Sequence, residues 1–248
     1  MPYPSGSPGL NSSKETRVSN FAIVSIDMFQ TLVELASRRH HIWRQFLQER
    51  YSEQLAEECW ALSSKSIMDH YHRLTSQSNP FVPLRSIFEA SLAELFPTIG
   101  LDLDPNEAVR ILVAEHRSAS PYEDTKAFLA SVGDKYPICL VTDTDDDMLS
   151  PFLLNLHEFD RVFTSEQLRS YKNDPECKLF SAVVEHYGIA PEKILHIGDS
   201  SADVLGAHRV GMKTCWLNRS GNSWHHDIEP DHIVRTLLEA ASILGVSP

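Results

Sequence analysis

Two short apolar segments, far apart in the chain, each run directly into acidic residues. Asp27 follows the first segment, with the Thr31 hydroxyl close behind it, and Asp199 and Asp203 follow the second. A carboxylate can act as a nucleophile that forms a covalent intermediate, and carboxylate oxygens are preferred ligands of hard cations. The two segments therefore indicate an enzyme whose carboxylates meet at one edge of a sheet.

The segments that must hold these acids have the character of buried parallel strands. Apolar runs over residues 21–26, 138–141 and 194–197 are short and rich in β-branched residues, and helical patterns separate them. In open parallel sheets, ligands bind beyond the carboxyl ends of the strands. The second run leads into Thr142 and Asp143, which should join the acids there. The pattern predicts an α/β fold with a three-layer, Rossmann-like parallel sheet core.

Helical periodicity dominates residues 32–118, directly after the first strand. The apolar stripes comprise Ile42, Trp43, Phe46 and Leu47, then Trp60, Ile67, Tyr71 and Leu74, then Leu84, Ile87, Phe88, Leu92 and Leu95. Asp104 followed by Pro105 is typical of a helix start. We expect these helices to form an inserted cap that covers the catalytic edge as a lid. The same periodicity also fits a bundle that only packs.

The composition divides the chain into three parts. Residues 1–19 are rich in Ser, Pro and Gly and have few large apolar groups, so we predict a flexible N-terminal tail. The predicted catalytic core comprises residues 20–31 and 119–248, and the predicted helical cap comprises residues 32–118.

This set of motifs resembles the haloacid dehalogenase superfamily, a group of Asp-nucleophile hydrolases that are mostly phosphatases. The family pattern has a strand ending in D-x-D-x-T, a strand ending in Ser or Thr, a Lys, and a strand ending in G-D-x-x-x-D. The matching residues, in the family's order, are Asp27 with Thr31, Thr142, Lys172, and Asp199 with Asp203. The resemblance covers residues 20–31 and about 120–240, and it implies a hydrolase with a helical cap.

The resemblance also implies roles for individual residues. Asp27 would be the nucleophile, and Thr142 and Lys172 would act with it on the transferring group. Mg²⁺ would be the cofactor, and its predicted protein contacts are Asp27, the backbone carbonyl of Phe29, Asp199 and, in a supporting position, Asp203. Substrate contacts are expected from Thr31, Asp143 and the backbone after the nucleophile, which begins at Met28.

The lysine assignment has a rival. In the family, this lysine begins a Pro-containing turn, with an aromatic residue six positions later. Lys172 precedes such a turn but reaches Phe180 only after eight positions, whereas Lys178 falls within a helical pattern. We interpret Lys172 as the active-site lysine and keep Lys178 as the alternative.

Phe29 departs from the pattern of ordinary phosphatases, which carry a second Asp at this position. That Asp serves as general acid and base, a function worth about 10² to 10⁴-fold in rate. An aromatic residue here is similar to the dehalogenase branch, whose halide leaving group needs no proton. The acidic G-D-x-x-x-D segment instead favours the metal-dependent phosphatases, because dehalogenases typically have Ser at its first acidic position.

The sequence therefore predicts a Mg²⁺-dependent phosphatase that acts on a small phosphorylated metabolite, with a 2-haloacid dehalogenase as the main alternative. A phosphonatase would need an amine-forming lysine in the cap, for which Lys65 is the candidate. A catalytically weak binding or regulatory protein of the same fold is the remaining alternative.

Charge and composition limit the partners. The formal net charge of −12 argues against nucleic acid or an anionic membrane as a partner, since both require basic surface. We expect a cytoplasmic protein without a signal peptide or membrane span, and a small phosphorylated or halogenated molecule as its substrate. The pattern does not indicate an oligomeric state. Cys139 and Cys215 lie inside apolar runs, where we expect them to pack in the core.

Overall fold

The computed structural model describes residues 20–75 and 80–247. The predicted flexible tail at residues 1–19 lies outside these described residues. Six strands form one sheet and two form a short ribbon. In chain order they are β1 (Ile23–Ile26), β2 (Val33–Glu34), β3 (Ser120–Pro121), β4 (Ile138–Thr142), β5 (Arg161–Thr164), β6 (Ile194–Gly198), β7 (Lys213–Leu217) and β8 (His232–Val234).

The main sheet is parallel throughout, with the order β5-β4-β1-β6-β7-β8. Strand β1 lies at its centre, where Ile26 pairs with Leu140 of β4 and with Ile197 of β6. The backbone N–H of Asp27 continues this pairing, since it donates to the Ile197 carbonyl at 3.0 Å. The ends of β1, β4 and β6 therefore meet at one edge of the sheet, as the sequence predicts.

Helices flank the sheet and form the inserted segment. They are α1 (Arg39–Leu47), α2 (Glu53–Thr75), α3 (Leu84–Thr98), α4 (Pro105–Arg117), α5 (Thr125–Gly133), α6 (Pro151–Leu154), α7 (Ser165–Leu168), α8 (Lys178–Tyr187), α9 (Ser201–Arg209) and α10 (Leu237–Ile243). Helices α5 and α10 pack in one hydrophobic cluster with the sheet, and α8 and α9 pack in another. None of the helices in the described ranges has the length and apolar character needed to cross a membrane.

Alternation along the strands explains the two clusters. Leu140 faces the cluster that contains α5 and α10, whereas its neighbours Cys139 and Val141 face the cluster that contains α8 and α9. Successive side chains of a strand point to opposite faces, so a strand covered on both sides is apolar along its whole length. Cys139 and Cys215 are fully buried among these residues, which confirms their predicted place in the core.

Helices α1 to α4, which we call the insert, surround a hydrophobic cluster of their own. Buried side chains line α1 and α3 at the predicted helical spacing. Helix α4 begins as predicted, because the Asp104 side chain accepts from the backbone N–H of Asn106 at 3.0 Å and Pro105 occupies the first turn. The apolar stripes thus belong to a compact unit outside the sheet.

The short strands β2 and β3 pair antiparallel where the chain enters and leaves the insert, with Val33 opposite Pro121. This ribbon lies beside the predicted limits at residues 31/32 and 118/119. The division into a core and a cap remains a prediction.

Candidate active site

A cavity of about 240 Å³ opens at the edge where the central strands end. Its core-side lining comprises Asp27, Phe29, Thr142, Asp143, Lys172, residues 199–202 and Asp203. Its other wall belongs to the insert and comprises Ile67, Met68, Tyr71, His72, Leu84 and Phe88. The structure thus brings most of the predicted site residues into one catalytic cavity beneath the insert.

Lys172 links two of the predicted carboxylates. Its Nζ donates to Asp27 Oδ1 at 2.5 Å and to Asp203 Oδ1 at 2.6 Å, and all three side chains are buried. Burial alone would favour the neutral amine, but the charges of Asp203 and Asp27 raise the pKa of Lys172. Burial raises the pKa of Asp27, and the Lys172 ammonium opposes that rise. Lys172 therefore stays charged and favours an ionised Asp27.

Asp203 has no oxygen left for a direct metal contact. Its Oδ1 accepts from Lys172 Nζ and lies 2.9 Å from His196 Nε2, and its Oδ2 accepts from the backbone N–H and the hydroxyl of Ser200. Burial opposes its ionisation, but Lys172 and His196 outweigh burial and lower the pKa of Asp203. Asp203 thus positions Lys172 and helps to cap helix α9, which is consistent with the supporting position expected for it, and any part in metal binding stays a prediction.

His196 extends this network, which the sequence did not reveal. Its Nδ1 lies 2.8 Å from the Ser25 hydroxyl on the neighbouring strand, and burial lowers the pKa of the imidazole. A neutral His196 with its proton on Nε2 donates to Asp203 and accepts from Ser25. His196 is buried, and its hydrogen bond to Asp203 makes it a positioning contact. Polar residues within two apolar strands were the available signal.

Two glycines allow this close approach. A Cβ at Gly198 would lie 2.2 Å from Asp203 Cγ, and a Cβ at Gly206 would lie 2.2 Å from the Lys172 carbonyl oxygen. Gly206 lies inside helix α9, where glycine is unfavourable unless packing requires it. The helix can therefore press against the Lys172 segment, and an interior glycine was the sequence signal for that contact.

Asp199 has a different electrostatic environment. Burial raises its pKa well above the usual range, and the charges of Asp27 and Asp203 raise it further. Within residues 20–75 and 80–247, no ion pair involves Asp199; the Thr31 hydroxyl lies 3.4 Å from its Oδ1. A half-buried carboxylate beside two others, without its own cation, is disfavoured as an anion. The site is thus electrostatically incomplete around Asp199.

This arrangement fits a Mg²⁺ ion. In the part of the chain that the structure describes, no group of three or more His, Cys, Asp and Glu side chains is arranged for a metal. Mg²⁺ does not require such a group, since it commonly takes one or two carboxylates and completes its shell with water and phosphate oxygens. Asp27 and Asp199 supply two carboxylates to one cavity, and Asp199 needs positive charge.

Thr142 and Asp143 end strand β4 at the cavity. The Thr142 hydroxyl is buried and has no hydrogen-bond partner among the described residues. An unpaired buried hydroxyl costs free energy unless a ligand forms a hydrogen bond with it. Asp143 accepts from the Lys172 backbone N–H at 2.9 Å and from the Tyr71 hydroxyl at 2.5 Å, and burial raises its pKa to about 6. Thr142 is therefore free to donate to a bound anion, while Asp143 also ties the core to the insert.

Two predicted substrate contacts lie behind the cavity wall. Met28 is fully buried in the hydrophobic cluster beneath the sheet edge, because it follows the last inward position of β1. Thr31 is also fully buried, and its hydroxyl points to Asp199. In this structure Thr31 supports Asp199, and the predicted substrate contacts of Thr31 and of the Met28 backbone stay predictions.

The rival lysines lie outside the cavity. Lys178 is 58% exposed and pairs with Glu176 on the surface, so the structure places Lys172, not Lys178, beside Asp27. Lys65 is 76% exposed and pairs with Asp69 at 2.8 Å. A lysine at this position cannot form an amine adduct in the cavity, which removes the basis of the phosphonatase alternative.

Phe29 lines the cavity and contacts the insert. Its ring packs edge-on against His116, with the centroids 5.1 Å apart. The side chain thus replaces a proton donor with an apolar surface, and it does so at the boundary between core and insert.

Several hydrogen bonds join the insert to the core, and no sequence pattern predicts them. The Asp145 carboxylate accepts from the backbone N–H groups of Leu84 and Arg85 at 2.7 and 2.9 Å. The Tyr171 hydroxyl donates to the Val82 carbonyl at 2.8 Å. These contacts start helix α3 against the core and hold the insert over the cavity. They join residues about 60 to 90 positions apart, which periodicity cannot pair.

Comparison with known proteins defines the family. The sequence model of the haloacid dehalogenase-like hydrolases matches residues 21–211, so the chain belongs to this family. It is 24% identical over 181 residues to (S)-2-haloacid dehalogenase 2 of Pseudomonas sp. (strain CBS-3), which covers 71% of this chain and 77% of the relative. It is 32% identical over 124 residues to phosphoglycolate phosphatase of Nitrosococcus oceani, which covers 48% of this chain and 53% of the relative.

Solved structures show the same fold. The magnesium-bound HAD-hydrolase YfnB of Bacillus subtilis superposes with a TM-score of 0.75 at 18% identity, which covers 90% of this chain and 98% of that chain. The chain is therefore a haloacid dehalogenase-like hydrolase with the predicted parallel sheet. Its relatives include both dehalogenases and phosphatases, so membership alone does not define the reaction.

Proposed function

We propose that this protein is a Mg²⁺-dependent phosphohydrolase that uses Asp27 as its nucleophile and acts on a small phosphorylated metabolite with a good leaving group. The observation that carries the proposal is the environment of Asp199. This half-buried carboxylate lines the same cavity as Asp27 and has no cation of its own in the described residues. A metal-independent dehalogenase would gain nothing from a second, repelling carboxylate beside its nucleophile.

Asp27, Asp199 and the Phe29 carbonyl are the groups that would hold the ion. When bound, Mg²⁺ would offset the negative charge of the carboxylates and of a phosphate dianion. Magnesium in the structurally similar Bacillus subtilis hydrolase supports this choice of ion. Asp203 would act on the site only through Lys172 and the start of helix α9.

The chain's own residues account for the transfer. Asp27 Oδ1 accepts a hydrogen bond from Lys172 Nζ, which leaves Asp27 Oδ2 to attack phosphorus. The P–O bond to the leaving group breaks as the Asp27–phosphorus bond forms, and water later hydrolyses the aspartyl phosphate. Lys172 and the unpartnered Thr142 hydroxyl would donate to the phosphoryl oxygens, where charge grows in the transition state.

Phe29 limits which leaving groups the proposed enzyme can release. No carboxyl group occupies the position from which family phosphatases protonate the departing oxygen. The departing oxygen must therefore be stable as an anion or take its proton from water. This favours acyl phosphates, anhydrides and aryl phosphates over alkyl phosphates.

The insert supports the proposal as a lid. Tyr71, Leu84 and Phe88 close the cavity from above, and apolar walls that exclude water strengthen the interactions of Lys172 with bound anions. The position of the insert after β1 also matches the predicted cap.

The test is a paired assay of metal-stripped protein. Acetyl phosphate and phenyl phosphate should release phosphate only when Mg²⁺ is restored, and 2-chloropropionate should release no chloride with or without metal. Asp199→Asn should weaken the response to Mg²⁺, whereas Asp227→Asn, an exposed control, should not. Chloride release without metal and no phosphate release would overturn the proposal.

A dehalogenase is the second candidate, and Phe29 is the observation in its favour. The Phe29 ring gives the cavity an apolar wall at the position of the usual proton donor. A departing halide does not require a proton donor there. The relation to the Pseudomonas (S)-2-haloacid dehalogenase is consistent with it. The chloride measurement in the paired assay decides between the two.

A further inference from the structure

A second cavity, which we call the insert cavity, lies among helices α1, α2, α3 and α4. Its volume is about 370 Å³, within the range of ligand pockets, which is about 300 to 1,000 Å³. Trp43, Phe46, Trp60 and Leu92 form much of its wall. A fully packed bundle would leave no void of this size, because protein interiors rarely contain spaces much larger than a water molecule.

The lining of the insert cavity is uncharged. Of the described residues that line it, none is Asp, Glu, Lys or Arg. His116 is the one titratable group among them, and burial lowers its pKa while its Nδ1 lies 2.7 Å from the Leu112 carbonyl oxygen. The other polar side chains of the lining are Gln30, Ser63 and Ser64; Gln30 accepts from the Leu35 N–H and Ser63 donates to the Trp60 carbonyl. A neutral imidazole and a mostly apolar wall would accept an uncharged, mainly apolar group and exclude an ion.

The insert cavity adjoins the catalytic cavity along one side. Ile67, Met68 and Phe88 line both. Two of these residues are on α2 and one is on α3, so the shared wall is made by the insert alone. A molecule whose phosphate lies beside Asp27 could therefore extend past Met68, a flexible side chain, into the insert cavity.

We propose that the insert cavity is the second compartment of the substrate site, and that it takes the apolar, uncharged group of an aryl phosphate or of an acyl phosphate with a branched alkyl chain. This inference rests on the proposed phosphohydrolase function and names its substrate class. Sugar phosphates and phosphorylated carboxylic acids are disfavoured, because their hydroxyl or carboxylate groups would lose water in an apolar wall without finding partners.

The first arm of the test is a series of 4-alkylphenyl phosphates, in which the alkyl length changes while the acidity of the phenol hardly does. The kcat/KM with Mg²⁺ should rise by about fourfold for each added methylene until the cavity is filled, as expected for burial of about 0.8 kcal/mol per CH₂. A flat series, with phenyl phosphate hydrolysed as well as its butyl derivative, would overturn the inference and leave the phosphohydrolase intact.

The second arm uses a matched pair of variants on helix α2. Ser64 lines the insert cavity, and Ala61, on the same helix, is exposed. Ser64→Phe should fill the cavity. The ratio of kcat/KM for 4-butylphenyl phosphate to kcat/KM for 4-methylphenyl phosphate should then fall to about one. Ala61→Phe adds the same side chain outside the cavity and should leave that ratio unchanged. An equal ratio in both variants would contradict the inference.

The third arm does not depend on activity. Trp43 and Trp60 line the insert cavity, so binding of 4-butylphenol should change tryptophan fluorescence in the unmodified protein and in Ala61→Phe, but not in Ser64→Phe. If no phosphate ester is hydrolysed, the proposed function fails, and this binding still decides whether the cavity takes an apolar group. No binding to the unmodified protein would overturn the inference.

Discussion

The catalytic cavity and the insert cavity share three wall residues, yet their chemistry is opposite. The catalytic cavity is lined by the buried ammonium of Lys172 and by several carboxylates at the sheet edge. The second is lined mostly by aromatic and aliphatic side chains, with Gln30, Ser63, Ser64 and His116 as its polar members and no Asp, Glu, Lys or Arg among the described lining residues. In the proposed function, reaction and substrate selection would therefore be assigned to different parts of the chain.

The physical reason lies in the two scaffolds. Parallel strands bring residues from distant positions to one edge with little freedom, as the pairing of Ile26 with both Leu140 and Ile197 illustrates. Helices of the insert contact the core through a few side-chain and backbone bonds, such as Tyr71 to Asp143. A fixed edge suits atoms that must react, and a separately packed unit can vary its lining without disturbing them.

The largest expected effect is in the core. Asp27→Asn should reduce Mg²⁺-dependent phosphate release by about 10⁴-fold or more, because a neutral amide cannot form the aspartyl phosphate. The fold should persist, since Lys172 keeps its contact with Asp203. Phosphate release and a thermal unfolding curve check both statements. Undiminished turnover would mean that Asp27 is not the nucleophile.

Lys172→Met should have the next largest effect and should also destabilise the protein. It leaves Asp27 and Asp203 buried without their ammonium, at a cost of about 3 to 5 kcal/mol in the free energy of unfolding, and turnover should fall by about 10³-fold. Lys178→Met is the control, because Lys178 is exposed and should change stability by no more than about 0.5 kcal/mol. Urea unfolding and initial rates are the measurements; similar losses in the two variants would contradict the assignment.

The smallest effects should come from Asp199 and Phe29, which both line the catalytic cavity. Asp199→Ala should lower turnover by about 10²-fold, because several kcal/mol of charge stabilisation depend on the ion. Phe29→Ala should lower it by less than about tenfold, since Phe29 contributes packing against His116 and the cavity wall. Steady-state rates at saturating Mg²⁺ make the comparison. Equally severe losses would show that the aromatic ring has a catalytic task.

The sequence predicted the sheet edge better than the insert. Strand-ending residues such as Asp27, Thr142 and Asp199 could be predicted to converge, because the edge of a parallel sheet leaves them no other arrangement. The burial of the Met28 side chain and the contact of the Thr31 hydroxyl with Asp199 could not be predicted, since a motif gives the chain position but not which side of the backbone faces the cavity.

In the insert, helical periodicity could not predict the cavities or the contacts with the core. Trp60 and Ile67 belong to a predicted apolar stripe and pack against the hydrophobic cluster of the insert, but they also line the insert cavity. A stripe of apolar residues looks the same in both cases, because periodicity records which face is apolar and not what fills the space beside it. The Tyr71 contact to Asp143 was hidden for the same reason.

The most direct test is a crystal soaked with Mn²⁺, a stand-in for Mg²⁺, and measured at the manganese absorption edge. A cation shared by Asp27 and Asp199 predicts one anomalous peak within bonding distance of both carboxylates, lost in Asp199→Asn. A structure in which these carboxylates lie apart, with no peak between them at saturating Mn²⁺, would contradict the account.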